Sequence, residues 1–405
     1  MAGDQRIDPR HAAFFTRPDY YEVLARLRAE DPVHLCEPGF WVVTRYEDIR
    51  DLSRDPQHFC SGRGALVNDP IRTAEIPVAG RSILHMDPPE HAAFRGLVNR
   101  RFTPRALSGL SETIHKSASR LFDAVEPRKE IDFVAELSAP FPIMVIAELL
   151  GIEETEREDF RRWSDAAIES PDLPPDKTMA ALGELSSFIV EHIRSKRERP
   201  GDDLVSLLVG SEVGGRPLSK EELFMFLLTL LVAGNETTRT LLSGSALVLA
   251  EHPHHRAALA ADATLVAGAV EECLRWVTPV HAFCRTATED TVLSGVSVHE
   301  GDYICMLYAS ANRDESVFGE DADRFDVRRT TVPMHLAFGF GEHVCLGASL
   351  ARLEARLFIE ELLTRYPGYA VTGSVERVLS TTVAGIRSLP MVLAPAGEAV
   401  PVPGS

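Results

Sequence analysis

Phe338 to Gly347 reads F-G-F-G-E-H-V-C-L-G, and an apolar helical pattern begins directly after it at Ala348. One thiol, Cys345, therefore sits inside a glycine-built loop at a helix start. A helix N-terminus points unpaired N–H groups and a partial positive charge at whatever precedes it, which favours thiolate over thiol. A thiolate so placed can ligate iron. Gly339, Gly341 and Gly347 remove the side chains that would keep backbone amides away from the sulfur or from a flat ligand above it. Phe338 is placed to pack against such a ligand. The competing reading of a lone cysteine is a buried structural thiol beside a glycine-rich turn.

The longer run from His335 to Arg352, H-L-A-F-G-F-G-E-H-V-C-L-G-A-S-L-A-R, resembles the haem-binding loop of the cytochromes P450. The resemblance extends over nearly the whole chain, from about residue 15 to 395, with the signatures in the family's order. It implies a mainly α fold with a small β region in one large domain, and haem b (iron protoporphyrin IX) as cofactor. It also makes Cys345 the proximal iron ligand, sets Phe338 and Gly347 against the haem, and puts His335 and His343 near the propionates. Thiolate ligation pushes electron density onto iron and favours O–O cleavage over reversible oxygen binding.

Composition agrees with a large globular domain. The 405 residues are 45% hydrophobic and 25% charged, and no Pro/Gly/Ser-rich linker divides them. A net charge of −18 argues against nucleic acid or an anionic membrane as partner, because the whole-protein field repels both. The N-terminus has no apolar signal region, and the apolar run Leu223 to Gly234, interrupted by Thr229, is too short to span a bilayer. Six cysteines with no C-x-x-C pair suit a reducing compartment, so a cytoplasmic protein is expected.

Along the chain, Asp19 to Arg28 and Tyr46 to Leu52 carry helical periodicity, with a β-prone run, Phe40 to Thr44, between them. From Ser61 to Met86 periodicity fails and glycines and prolines punctuate a long loop. Its apolar members, including Leu66, Val67 and Ile76, read equally as loop packing or as a pocket lid; the resemblance selects a substrate lid. Asp87-Pro88-Pro89 opens a helix that places His91 and Arg95 on one face. Such a pair is often a solvated face, but D-P-P-E-H-A-A-F-R resembles the family's propionate-binding helix, which makes both residues haem carboxylate partners. A planar guanidinium suits a carboxylate bidentately. Helical patterns then continue over Leu107 to Val125 and Ala135 to Leu150, with a short strand expected at Ile131 to Val134. Breaks at 168 to 177 form, by resemblance, the entrance over the pocket.

A long central helix is predicted from Ser219, whose S-x-x-E spacing to Glu222 signals a capping box, to about Ala250. It is apolar on nearly all sides in the middle, which calls for burial. The hexapeptide A-G-N-E-T-T interrupts it: Gly234 costs about 1 kcal/mol relative to Ala, and Glu236 brings a charge where burial is expensive unless partnered. A kink with a buried, hydrogen-bonded Glu would explain both. The hexapeptide also resembles the family's oxygen-activation motif, which implies a proton relay of Thr237 and Glu236, with Ala233 beside the haem. Reduction of dioxygen consumes protons, so a hydroxyl must position water while a carboxylate connects to bulk. A Thr bonding back to the carbonyl three or four residues earlier opens the helix locally.

Glu272 and Arg275 stand three apart in E-E-C-L-R-W, which alone says little. By resemblance they form the family's structural ion pair, joined by an arginine from the later irregular segment, assigned to Arg324 with Arg328 as the alternative. Arg285 matches the third propionate ligand of the family. Counting back from Thr237, the residues on the same face are Ala233, Thr229 and Val232. With Val280, Val383, Leu66 and Val67 they describe a roomy, uncharged pocket, Thr229 being the candidate to orient one polar group.

Together these readings predict a haem-thiolate monooxygenase that inserts one atom of O2 into a bulky hydrophobic molecule of steroid, terpenoid or polyketide type, by hydroxylation or epoxidation. No flavin or iron–sulfur motif is present, so electrons come from separate proteins, by resemblance a ferredoxin and its reductase. Arg100, Arg101, Arg105, Arg352 and Arg356 flank the cysteine side and would dock such a donor on a monomer. A peroxide-driven peroxygenase and a non-catalytic haem sensor are the alternatives; the first has no use for Glu236 and Thr237, and the second lacks an attached signalling domain.

Overall fold

Ser219 starts the element around which the others are packed. Its side chain accepts from the Glu222 N–H while the Glu222 carboxylate accepts from the Ser219 N–H, and the helix runs unbroken from Lys220 to Glu251. At 1.5 Å per residue its length is about 48 Å. The computed structural model describes residues 7–73, 82–168, 175–330 and 334–395. The predicted interruption at A-G-N-E-T-T is absent, and the reason is packing. A Cβ on Gly234 would lie 2.9 Å from Ile146 Cδ1, so glycine lets the Pro140–Leu149 helix approach closely. That gain offsets the low helix propensity of glycine.

Against this helix lie the Pro140–Leu149, Val266–Val277 and Ala348–Arg365 helices, which share one apolar core with it. Between residues 220 and 251 most side chains from Leu241 onward are fully buried, as the all-round apolar pattern requires. The β region forms a five-stranded sheet in the order Val33–Glu37, Phe40–Val43, Tyr303–Leu307, Ala282–Ala287, Phe59–Cys60. Only the Phe40–Val43 and Tyr303–Leu307 pair is parallel. The strand Val33–Glu37 lacked a clear alternation in the sequence and is fixed by pairing with Phe40–Val43 instead.

Of the two expected lid regions, the first turns out differently. The 61–86 stretch is not one loop: it holds a helical turn at Pro70–Thr73 and a tight turn at Ile83–His85. Asp69 organises its first half, accepting from the N–H groups of Ala65, Leu66 and Ile71 and from His85. Ile76 and most of the 168–177 break lie outside the described residues. No helix among the described residues is long and apolar enough to cross a membrane.

Candidate active site

The cysteine loop is fastened from both sides. The Cys345 N–H donates to Phe338 O at 2.8 Å and the Gly339 N–H to Leu336 O at 2.9 Å, closing the turn. Gly339 and Gly341 adopt φ of 70° and 72°, where a side chain is strained. A Cβ on Gly341 would fall 2.0 Å from Ser53 O, so this glycine seats the loop on the Tyr46–Arg54 helix rather than opening it toward a ligand. Gly347 does face the sulfur: its Cβ would stand 3.9 Å from Cys345 Sγ.

Cys345 has accessible surface although protein surrounds it, so its side chain lines an interior space. Burial pushes the thiol pKa up, and the Gly347 N–H, Arg95 and Arg352 oppose that rise. The helix-start argument thus has the correct sign but does not win alone. A bound cation would reverse the balance, because a coordinating thiol is deprotonated outright.

Four cation-capable side chains converge beside the loop. His91 and His343 rings are 4.2 Å apart. Burial and the charges of Arg285, His91 and Arg95 push His343 down to about 2, and burial and Arg95 lower His91. Arg285 is buried and, among the described residues, donates only to the carbonyl of its neighbour Cys284, at 2.7 Å. No described carboxylate stands within ion-pair distance of Arg95 or Arg285. His91, His343 and Glu342 could by distance hold a metal, their donor atoms lying within 4.8 Å of one another. The two guanidinium groups oppose a cation there and favour an anionic partner. A thiol at the wall of an interior space and a positively charged cradle next to it suit a haem with two propionates.

On the central helix, Thr237 Oγ1 donates to Ala233 O at 2.7 Å, the back-bond read from the sequence. Glu236 is buried, with Arg239 Nη1 at 3.8 Å, and a Cβ on Gly385 would lie 3.3 Å from its Oε1. Val232 and Ala233 are exposed in the middle of this helix, between the buried Leu231 and Asn235.

A family model described as Cytochrome P450 matches residues 177–368. A steroid C26-monooxygenase of Mycolicibacterium smegmatis is 37% identical over 396 residues, covering 96% of each chain. A linalool 8-monooxygenase of Pseudomonas putida is 34% identical, covering 96% of this chain and all of the relative. The solved structure of cytochrome P450 CYP109Q5 from Chondromyces apiculatus superposes with a TM-score of 0.86 at 34% identity, covering 97% of this chain and 99% of the other. The chain belongs to the cytochrome P450 family. It is a haem b monooxygenase that draws on O2, a hydrophobic substrate and separate redox partners.

Within this P450 several expected residues change place. Glu272 and Arg275, both fully buried, pair through two hydrogen bonds of 2.7 and 2.8 Å. The third member is Arg329, whose Nε reaches Glu272 Oε1 at 3.3 Å. Arg324 contributes only its carbonyl, to Arg275 Nη2 at 2.9 Å and to Arg329, while Arg328 is exposed. A guanidinium five residues beyond Arg324 reaches back because the Asp321–Arg329 segment curls around it; spacing alone cannot reveal that curl. His335 is fully buried against Glu271, 3.3 Å away, rather than joining His91 and His343. Arg352 is likewise held by Glu271 through two bonds of 2.7 and 2.8 Å.

In the expected pocket, Val280 and Val383 meet as a bridge between strands. Thr229 donates to Met225 O at 2.7 Å and pairs with Ser82 at 3.0 Å, joining the 82–86 turn to the central helix. Leu66 is half-buried, but Val67 belongs to the core of the small sheet with Phe40 and Tyr303, so it is packing and not lid. Sequence reading missed Asp87, which accepts from the Ser61 and Gly62 N–H groups, and Ser61, which meets His343 Nε2 at 3.2 Å. It also missed Asn312, whose side chain joins Leu336 to Thr278, and Glu354, a buried acid on the helix after Cys345.

Proposed function

We propose that this P450 oxidises a bulky, largely hydrocarbon molecule of steroid, terpenoid or polyketide type, with Cys345 as the ligand of the haem iron. The observation that carries the substrate reading is the accessible middle of the central helix. Val232 and Ala233, small and uncharged, are exposed about one turn before Thr237, between the buried Leu231 and Asn235. Such a wall binds through buried apolar area, at roughly 25 cal/mol per Å². The relatives named for steroid C26 and linalool oxidation act on molecules of this kind.

His91, Arg95, Arg285 and His343 would hold the propionates, and the haem supplies oxygen activation. Thr237 spends its proton on Ala233 O, which leaves its lone pairs to hold a water at the pocket wall. Glu236, beside Arg239, passes protons toward that water. A ferredoxin with its reductase is the electron source, and the protein acts as a cytoplasmic monomer.

The test has two arms. The reduced protein under carbon monoxide should show the strongly red-shifted absorption of thiolate ligation, lost in Cys345→Ser; a spectrum typical of histidine-ligated haem refutes the ligand. Panels of steroids, terpenoids, macrolides, fatty acids and small charged aromatics are then titrated against the haem band. Tight responses confined to small charged compounds overturn the substrate class.

A further inference from the structure

The Glu271 carboxylate is the hub of a small cluster beneath the cysteine loop that the reaction scheme above does not use. Both of its oxygens take hydrogen bonds from Arg352, Nε at 2.7 Å and Nη2 at 2.8 Å. The Nε2 of fully buried His335 stands 3.3 Å from Glu271 Oε2, close but out of line for a hydrogen bond. Both partners also touch Phe338. The Arg352 guanidinium lies 4.5 Å over the centre of its ring, and the His335 ring is 5.8 Å away at its side. Phe338 in turn accepts the Cys345 N–H through its carbonyl at 2.8 Å. A chain of contacts therefore runs from Glu271 through Arg352 and Phe338 to the backbone N–H of Cys345.

We propose that Glu271 is a positioning residue that sets how readily the Cys345-bound haem iron accepts an electron, by holding Arg352 over Phe338 and neutralising its charge. This rests on Cys345 being the iron ligand. Reduction adds one negative charge to the haem, so nearby positive charge favours the reduced form and nearby negative charge opposes it. Arg352, lying over the ring of the residue whose carbonyl holds the Cys345 N–H, brings a positive charge up to the cysteine loop. Paired with Glu271 through two hydrogen bonds, that charge is largely cancelled.

The experiment is spectroelectrochemical titration of the holoenzyme in four forms: wild type, Glu271→Gln, Arg352→Gln and the double variant. Glu271→Gln leaves Arg352 uncompensated and should raise the reduction potential. Arg352→Gln leaves Glu271 uncompensated and should lower it, and the double variant should return close to wild type. Arg352 is about 31% exposed, so its replacement is tolerated even if Glu271→Gln accumulates poorly, and a fall in potential is then required of Arg352→Gln alone. A purely structural role moves both single variants the same way together with their melting temperatures. Shifts of one sign, or none, in variants that keep the wild-type carbon monoxide band overturn the proposal. Loss of that band in the wild type itself would instead fault the assignment of Cys345.

Discussion

Thr237 is fixed by its bond to Ala233 O, a geometry an alanine cannot supply. Thr237→Ala should therefore keep substrate binding while diverting reducing equivalents to peroxide or water, because no hydroxyl orders the proton-bearing water. Product formed per reductant consumed should fall severalfold; an unchanged ratio removes Thr237 from the mechanism. Glu354 makes a different kind of prediction. Burial pushes its carboxyl up to about 8, against one hydrogen bond from Thr238 Oγ1 at 3.3 Å. The folded protein thus keeps a proton that the unfolded chain loses near its ordinary value of 4.5. Its contribution to stability is complete below about pH 4.5 and is lost as pH rises toward 8, with a limiting slope of about 1.4 kcal/mol per pH unit. Glu354→Gln should flatten this part of the stability curve, most visibly in denaturant midpoints compared at pH 6 and pH 8. If the two proteins keep parallel curves, the buried carboxyl is not protonated.

At the scale of elements, the 321–329 segment is tied to the Val266–Val277 helix by Glu272, Arg275 and Arg329 in addition to the apolar packing of Phe325 and Val327. Arg329 gives hydrogen bonds to Glu272, to Asp321 and to the carbonyls of Phe318, Asp321 and Arg324. Removing one partner of a buried pair costs about 3–5 kcal/mol. Arg329→Ala should approach that cost in unfolding measurements, whereas Arg324→Ala, which keeps the carbonyl, should cost under about 1 kcal/mol. Equal losses would return Arg324 to the role first read for it. The contrast shows where legibility ended. Glu272 and Arg275 share a helix, so a fixed spacing announces them, and the cysteine loop, the capping box at Ser219 and the Thr237 back-bond are equally local. Arg329, His335 and Ser61 owe their places to irregular backbone, whose path depends on contacts distant in sequence. Gly341 illustrates the same limit: its missing side chain was read as room beside the sulfur or a flat ligand, but what it admits is the carbonyl of Ser53, nearly three hundred residues away in the chain.

For the molecule as a whole, the charge distribution matters most where an electron donor docks. The total charge is −18, so an acidic donor can approach only a locally basic face. Of the five arginines read from the sequence, two are already engaged: Arg352 by Glu271, and Arg101 by Asp202 at 2.5 Å. Arg100 and Arg105 are exposed and Arg356 half-buried. The turn carrying Arg105, Pro104–Leu107, packs on the Ala348–Arg365 helix that carries Arg356 and follows the cysteine loop. A donor on this side would meet three available guanidinium groups rather than five. Steering by exposed charges is screened over about 8 Å at physiological ionic strength, so stopped-flow reduction by a ferredoxin should slow as salt increases. Charge reversal at Arg100, Arg105 or Arg356 should lower the low-salt rate severalfold and weaken the salt dependence. Reversal at Arg101 should do less, because its charge is partly answered by Asp202. If reversing all three leaves both the rate and its salt dependence unchanged, the donor docks on another face.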